Sequence, residues 1–414
     1  MDTKTLRCGL LGRKLGHSYS PAIHERLADY SYRLFEVEPE DLGAFLQEGA
    51  FDGLNVTIPY KKDVIPYCAE LSDTARAIGA VNTLVRRADG TLWGDNTDAY
   101  GFSMLVQSSG ADVAGKKALV FGSGGASATA QYVLQQLGAR EVVVISRHGE
   151  DNYENLDRHA DAQIAVNTTP VGMYPNTGVS PVDLHRLPRL EAALDVVYNP
   201  ARTEFLLQAE ARGLRRANGL LMLAAQAKKS CEDFTGEPVD DAKIFSITKA
   251  LEAQMHNVIL IGMPGSGKTT IGTLVAKRLG RTFVDADSAL AREAGMPIPE
   301  IFRREGEAGF RRRETAVLAE LGRQSGLVLA TGGGSVTREE NYPLLHQNGE
   351  IFCLQRALER LPSAGRPVSQ ALGAQTIYAQ RKPLYARFAD AMIDNNGTPE
   401  AAAAQILEVL GCSC

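Results

Sequence analysis

The chain has 414 residues, a formal net charge of −5 and 44% hydrophobic residues, a length that exceeds what one core serves and points to about two or three domains. Basic residues are dispersed, the longest run being Arg311-Arg312-Arg313, so no electrostatic footprint for nucleic acid is present. No stretch approaches the ~18 apolar residues of a membrane span, and a soluble cytoplasmic protein with neither membrane nor nucleic-acid partners is expected.

Strand-like and helical stretches alternate from the start: a strand over Arg7–Leu11, a helix over Pro21–Ala28, then strands over Tyr32–Val37 and Gly53–Thr57. This is the pattern of an α/β substrate domain. Near Lys116 a second unit opens with strand Ala118–Phe121, a glycine turn, a small-residue helix to Leu137 and strand Glu141–Ile145, which is a βαβ start. Between Asp240 and Met255 the apolar residues Ile244, Ile247, Leu251 and Met255 share one helical face, with aspartates at the start for capping. A strand over Val258–Ile261 follows at once, so the joint near His256 is expected to be short and stiff. The cysteines at 8, 68, 231, 353, 412 and 414 lack Cys-x-x-Cys spacing and read as free thiols, the last two as a tail rather than a metal site.

Two glycine-rich loops carry the chemistry. Gly122-Ser123-Gly124-Gly125-Ala126 follows a strand and suits a dinucleotide pyrophosphate. At the end of the next strand stand Ser146-Arg147, where an acid would favour NAD; an arginine there favours NADP. Gly262 to Thr269 satisfies the phosphate-loop pattern between a strand and a helix. In it the amides of Gly265, Ser266 and Gly267 face phosphate, Lys268 reaches the outer phosphates, and the Thr269 hydroxyl ligates magnesium, with Thr270 opening the helix.

Around the first loop, several motifs run in order: Gly16-His17-Ser18-Tyr19-Ser20-Pro21 with His24, Asn55-Val56-Thr57-Ile58-Pro59-Tyr60-Lys61, Ile78-Gly79-Ala80-Val81-Asn82-Thr83 and Gly94-Asp95-Asn96-Thr97-Asp98. Val166 to Met173, Asp195 to Pro200 and Gly219 to Gln226 follow. Through these the first half resembles shikimate dehydrogenase. The resemblance implies a three-layer substrate domain followed by a Rossmann-type NADP domain. It makes Lys61 and Asp98 the catalytic pair, and places Ser18, Ser20, Thr57, Asn82, Tyr198 and Gln226 on the substrate and Met222 near the nicotinamide. Two hydroxyls with period-two spacing, Ser18 and Ser20, can point one way from an extended segment, as a carboxylate needs. The short stretch from Arg147 to Asn167 suggests that a helix of the NADP domain is reduced or missing.

Residues 257–414 resemble shikimate kinase through Asp285-Ala286-Asp287, Glu305 to Glu314, Thr331-Gly332-Gly333-Gly334, Arg366-Pro367 and Gln380 to Tyr385. This implies a P-loop α/β domain, similar to nucleoside monophosphate kinases, with a central parallel sheet. By resemblance Asp285 supports magnesium and Asp287 binds the acceptor hydroxyls, with proton acceptance as a lesser role. Arg311, held by Glu314, and Arg381 would grip the acceptor carboxylate beside Gly332, Gly333 and Gly334. Arg360 would lie along adenine and Arg366 would reach the transferring phosphate from a short lid; Arg312 and Arg313 would be solvated.

The expected division is 1–98 substrate and catalytic domain, 99–218 NADP domain, 219–256 returning and joining helices, and 257–414 kinase domain. The expected activities are NADPH-dependent reduction of 3-dehydroshikimate to shikimate and magnesium-ATP-dependent phosphorylation of shikimate, in a monomer or homodimer. A quinate-preferring first half and a shikimate-sensing regulator are the alternatives.

Overall fold

The computed structural model describes residues 5–16, 18–49, 51–361 and 374–411. The chain forms two compact units, one of residues 1–172, 179–198 and 205–250, the other of 173–178, 199–204 and 251–414.

The first unit contains two sheets. Strands β1 (Arg7–Gly12), β2 (Ser31–Glu36), β3 (Gly53–Val56), β4 (Cys68–Leu71), β5 (Thr83–Arg86) and β6 (Leu92–Asp95) form a sheet of order β2-β1-β3-β5-β6-β4. Helices α1 (Ser20–Leu27), α2 (Leu42–Glu48), α3 (Asp73–Ile78) and α4 (Asp98–Ser109) occur in the same stretch. Pairs β1–β2 and β1–β3 are parallel, whereas β3–β5 and β5–β6 are antiparallel.

The second sheet, of order β11-β10-β9-β7-β8, contains β7 (Lys117–Phe121), β8 (Glu141–Ile145), β9 (Ile164–Asn167), β10 (Ala192–Asp195) and β11 (Arg215–Ala217), all parallel. Its β7 is buried throughout, as a parallel strand covered on both faces must be. Leu119 and Phe121 enter one core, Ala118 and Val120 the other. Helix α5 (Gly125–Gln136) returns the chain from β7 to β8. The crossover from β8 to β9 contains a short 3-10 turn, Leu156–His159, and no α-helix, which agrees with the brevity of the sequence there. After α6 (Glu204–Ala211), α7 (Leu220–Thr235) packs along α4, close enough that a Cβ on Gly101 would stand 2.6 Å from the Met222 carbonyl.

Helix α8 (Ala242–Met255) carries the expected buried face of Ile244, Ile247, Leu251 and Met255, and Asp240 Oδ1 accepts from Ala242 N at its start.

In the second unit, β12 (Asn257–Ile261), β13 (Phe283–Asp285), β14 (Val328–Ala330), β15 (Gly349–Gln355) and β16 (Ala391–Asp394) form a parallel sheet of order β13-β14-β12-β15-β16. Alternate residues of β12 feed two cores, Val258 and Leu260 into one, Ile259 and Ile261 into the other. Helices α9 (Lys268–Leu279), α10 (Ala286–Ala294), α11 (Ile298–Gly322) and α12 (Asn341–His346), then helices Ala374–Phe388 and Pro399–Val409, complete the unit. Gly306, at φ 68°, breaks α11 into two helical pieces. Arg313 pairs with Glu305 across that break at 2.8 Å while its side chain stays 40% exposed. Segment 199–204 is tied to the same unit by Arg202 N donating to the Gln347 carbonyl and Arg202 Nη1 to that of His346, each at 2.8 Å.

Candidate active sites

The first site is a cavity of about 280 Å³ in the first unit, lined by Ser18, Ser20, Thr57, Lys61, Asn82, Asp98, Tyr198, Met222 and Gln226 among others. All the expected substrate and catalytic residues of this half, together with Met222, therefore meet in one place. Lys61 follows β3 and Asp98 opens α4; the Lys61 Nζ to Asp98 Oδ2 distance is 2.5 Å. Both are partly shielded, at 24% and 14% side-chain exposure, which strengthens a charge-assisted bond relative to one in open solvent. Neighbouring Lys62 is exposed.

Ser18 and Ser20 are brought together differently from the expectation. Tyr19 has helical backbone angles, α1 begins at Ser20, and Ser20 N donates to Ser18 Oγ at 3.2 Å. A turn at a helix start, not an extended segment, presents the two hydroxyls. The Tyr198 ring meets that of Tyr19 edge-on at 6.1 Å between centroids, and burial raises the Tyr198 phenol above its ordinary pKa, keeping it a neutral donor.

Beneath the cavity lies a polar hub. Asn82 Nδ2 donates to Thr97 Oγ1 at 3.0 Å and Asn82 Oδ1 accepts from Thr97 N at 2.7 Å. Asn55 Nδ2 donates to Ser230 Oγ at 2.7 Å, and its Oδ1 accepts from the Tyr32 hydroxyl at 2.8 Å. Ser230 also meets Thr83 Oγ1 at 3.1 Å and Thr97 Oγ1 at 3.0 Å. Asn55 and Asn82, both lining the cavity, thus have fixed amide orientations. The motifs alone did not single out Asn55, Thr97 or Ser230 as site residues; the hub partners of Ser230 lie 133 to 175 residues away, and its local bond to the Gln226 carbonyl is ordinary for a helical serine.

The dinucleotide loop lies at the carboxyl ends of β7 and β8. Gly122 has φ +108°, and a Cβ there would stand 2.9 Å from Thr168 Oγ1 and from a Thr169 methyl, so both conformation and space require glycine. Gly124 and Gly125 have nothing within 4 Å of a built Cβ, leaving the start of α5 open. Ser123 and Arg147 are exposed, Ser146 and Ala126 half-buried. Gly122 N donates to the Ile145 carbonyl at 2.9 Å, which sets the loop beside Ser146 and Arg147. An open helix start beside an exposed guanidinium fits a phosphorylated dinucleotide.

The second site is a cavity of about 610 Å³ in the second unit. Gly265, Gly267, Lys268, Thr269, Thr270, Asp285, Asp287, Arg311, Gly332, Gly333, Gly334 and Arg381 line it. Ser266 is fully buried beneath the loop, and its carbonyl accepts from Asn395 Nδ2 at 2.5 Å. Gly262, Gly265 and Gly267 all have positive φ. Lys268 Nζ donates to the Gly262 and Met263 carbonyls at 2.9 and 3.1 Å. Asp285 does two things: Oδ1 accepts from Ser288 N to cap α10, and Oδ2 accepts from the Thr269 hydroxyl, both at 3.0 Å. A hydroxyl beside a carboxylate suits magnesium, which takes few protein oxygens and completes its shell with phosphate and water. Among the described residues no group of three or more His, Cys, Asp or Glu side chains could hold a metal alone.

Asp287 has its pKa raised by burial, and further by Asp285, against the pull of Lys268 and Arg311. Arg311 Nη1 donates to Glu314 Oε2 at 2.6 Å, and Arg381 Nη1 to the Gly333 carbonyl at 3.0 Å. The three glycines have a packing reason beyond ligand access. A Cβ would meet Glu314 Oε1 at 2.5 Å from Gly332, Pro264 Cδ at 2.6 Å from Gly333 and Arg311 Nη2 at 2.1 Å from Gly334. Arg360 is exposed, hydrogen-bonds the Asn396 carbonyl and is not among the residues lining the cavity. Arg366 lies outside the described residues. Arg356, which lines the cavity, was not anticipated.

Comparison with known proteins places names on both sites. The shikimate dehydrogenase substrate-binding domain matches residues 10–84 and shikimate kinase matches residues 264–411. A shikimate dehydrogenase (NADP(+)) of Clostridium perfringens strain SM101 is 36% identical over 267 residues, covering 59% of this chain and 98% of that protein. Among solved structures, a chorismate mutase/shikimate 5-dehydrogenase fusion from Clostridium acetobutylicum has 35% identity and a TM-score of 0.57, covering 60% of this chain and 98% of that one. The Thermus thermophilus shikimate 5-dehydrogenase, solved with NADP(H) and shikimate, has 32% identity and a TM-score of 0.54, covering 59% and 99%. The chain therefore belongs to the shikimate dehydrogenase family and carries that enzyme fused to a shikimate kinase domain.

Proposed function

We infer that the first cavity reduces 3-dehydroshikimate to shikimate and that the second phosphorylates shikimate to shikimate 3-phosphate, with NADPH and magnesium-ATP as the respective co-reactants. The observation that carries this reading is the presence of two such clusters in one chain: Lys61 against Asp98 in the first, and Lys268, Asp287 and Arg311 around the second.

NADPH, when bound, supplies the hydride. Reduction builds negative charge on the ketone oxygen, and Lys61 Nζ donates the proton that neutralises it. Asp98 orients the ammonium, and the lysine regains its proton from solvent after release of the alcohol. Asn82 and Thr57 offer uncharged partners to ring hydroxyls, while Ser18 and Ser20 hold the carboxylate. Tyr198 and Gln226 close on the substrate, and Met222 gives the nicotinamide an apolar contact. The glycine turn at Gly122–Ala126 holds the pyrophosphate, and Ser146 with Arg147 holds the 2′-phosphate.

In the second cavity, the phosphate-loop amides and Lys268 hold the outer phosphates. Thr269 and Asp285 would hold magnesium, which supplies charge neutralisation on the phosphate oxygens. Arg311, oriented by Glu314, and Arg381 grip the shikimate carboxylate bidentately. Asp287 accepts a hydrogen bond from the attacking hydroxyl and positions it; phosphoryl transfer through a loose transition state asks little base strength of it.

Separate assays on the intact protein and two variants test this. Lys61→Ala should lower dehydroshikimate reduction by roughly 10²- to 10⁴-fold and leave phosphorylation unchanged. Lys268→Ala should lower shikimate-dependent ADP release by roughly 10²- to 10³-fold and leave NADPH oxidation unchanged. Equal loss of both activities in either variant would contradict two independent sites.

A further inference from the structure

The second cavity holds a cation to which the mechanism above gives no role. Arg356 follows β15 and lines the cavity together with the phosphate loop. Strand β15 is the direct neighbour of β12, with Cys353 opposite Ile261. The contact continues into the loop, since a Cβ on Gly262 would stand 2.7 Å from the Leu354 carbonyl. Arg356 is two residues further on.

Its backbone is held on both sides. The Gln355 carbonyl accepts from Asn395 N, and Ala357 N donates to Asn396 Oδ1, each at 2.8 Å. Asn395 in turn holds the Ser266 carbonyl, so one short loop fixes both the phosphate loop and the root of Arg356.

The side chain is not engaged in the same way. Arg356 Nε is shut off from solvent and has no hydrogen-bond partner. The other basic residues lining the cavity each have a terminal nitrogen engaged: Lys268 with the Gly262 and Met263 carbonyls, Arg311 through Nη1 with Glu314, its own Nε being without a partner too, and Arg381 with the Gly333 carbonyl. A buried guanidinium donor without a partner, beside a loop built for phosphate, calls for an anionic ligand.

Sheet order decides which anion. The acceptor residues Asp287, Gly332, Gly333 and Gly334 follow β13 and β14, on one side of β12, whereas Arg356 follows β15, on the other. The phosphate loop runs between them. We propose that Arg356 binds phosphate oxygens of the nucleoside triphosphate, as a cation supplied from the end of β15. This rests on the reading of the second cavity as the kinase site.

The test uses the full chain with Arg356→Gln and Arg356→Lys. Arg356→Gln should lower kcat/KM for magnesium-ATP by roughly 10- to 100-fold, with KM for shikimate within about twofold of wild type. NADPH oxidation should be unchanged, which reports that the chain is folded. Arg356→Lys should recover part of the loss, since a point charge replaces a fork. Calorimetric titration with magnesium-ATP should show the Gln variant binding more weakly. Wild-type ATP kinetics and affinity in Arg356→Gln would overturn the proposal, as would a rise in KM for shikimate alone. A wild-type protein that binds magnesium-ATP but does not phosphorylate shikimate would fault the kinase reading instead, and the titration would still decide Arg356.

Discussion

Gly334 measures how closely the kinase cavity is packed, because a methyl group there would collide with the Arg311 guanidinium at 2.1 Å. Its φ of −104° is open to any residue, so the constraint is space rather than backbone freedom. Gly334→Ala should push Arg311 off its position against Glu314. The expected outcome is a rise of about tenfold or more in KM for shikimate, with dehydrogenase kinetics unchanged; steady-state assays of both activities check it. At this scale the sequence was informative where a residue belongs to a contiguous motif, as Lys61, Asp98, Lys268 and Arg311 do. It was silent for Ser230, Asn395 and Arg356, whose importance comes from partners or cavities built by distant segments. It misled on Ser18 and Ser20, because residues two apart can be aligned by a helix-start turn as well as by an extended segment.

Among the elements, β7 and β12 were readable because burial on both faces makes them short apolar runs. The β8–β9 crossover was readable from its length alone, since a chain that short has little room for a full helix. The break in α11 at Gly306 and its Arg313–Glu305 pair were not, because helical periodicity continues on both sides of the break. Helix α7 carries a further consequence. Burial pushes the Asp233 carboxyl up to about 6, with Asp95 adding to the rise and Lys229 opposing it. Between about pH 4 and 6 folded Asp233 keeps a proton that the unfolded chain has lost, so stability falls as pH rises through that window and is level above it. Asp233→Asn removes this slope. Melting of the first unit followed against pH should show wild type losing up to about 3 kcal/mol relative to Asp233→Asn between pH 4 and 6; parallel curves would contradict the assignment.

For the molecule as a whole, the two cavities lie in separate compact units, each with its own cores and its own nucleotide loop. On the proposed reading both sites would recognise one small carboxylate by different chemistry, hydroxyls in the first and guanidinium groups in the second. A helix that begins in the first unit and ends in the second joins them, and no helix among the described residues is long and apolar enough to cross a membrane. The product of the first reaction is the substrate of the second, so the account makes one demand on the intact chain. Supplied with 3-dehydroshikimate, NADPH and magnesium-ATP, the purified protein should form shikimate 3-phosphate with one ADP released for each NADPH oxidised once shikimate reaches steady state. NADPH oxidation with shikimate accumulating and no ADP released would contradict the account.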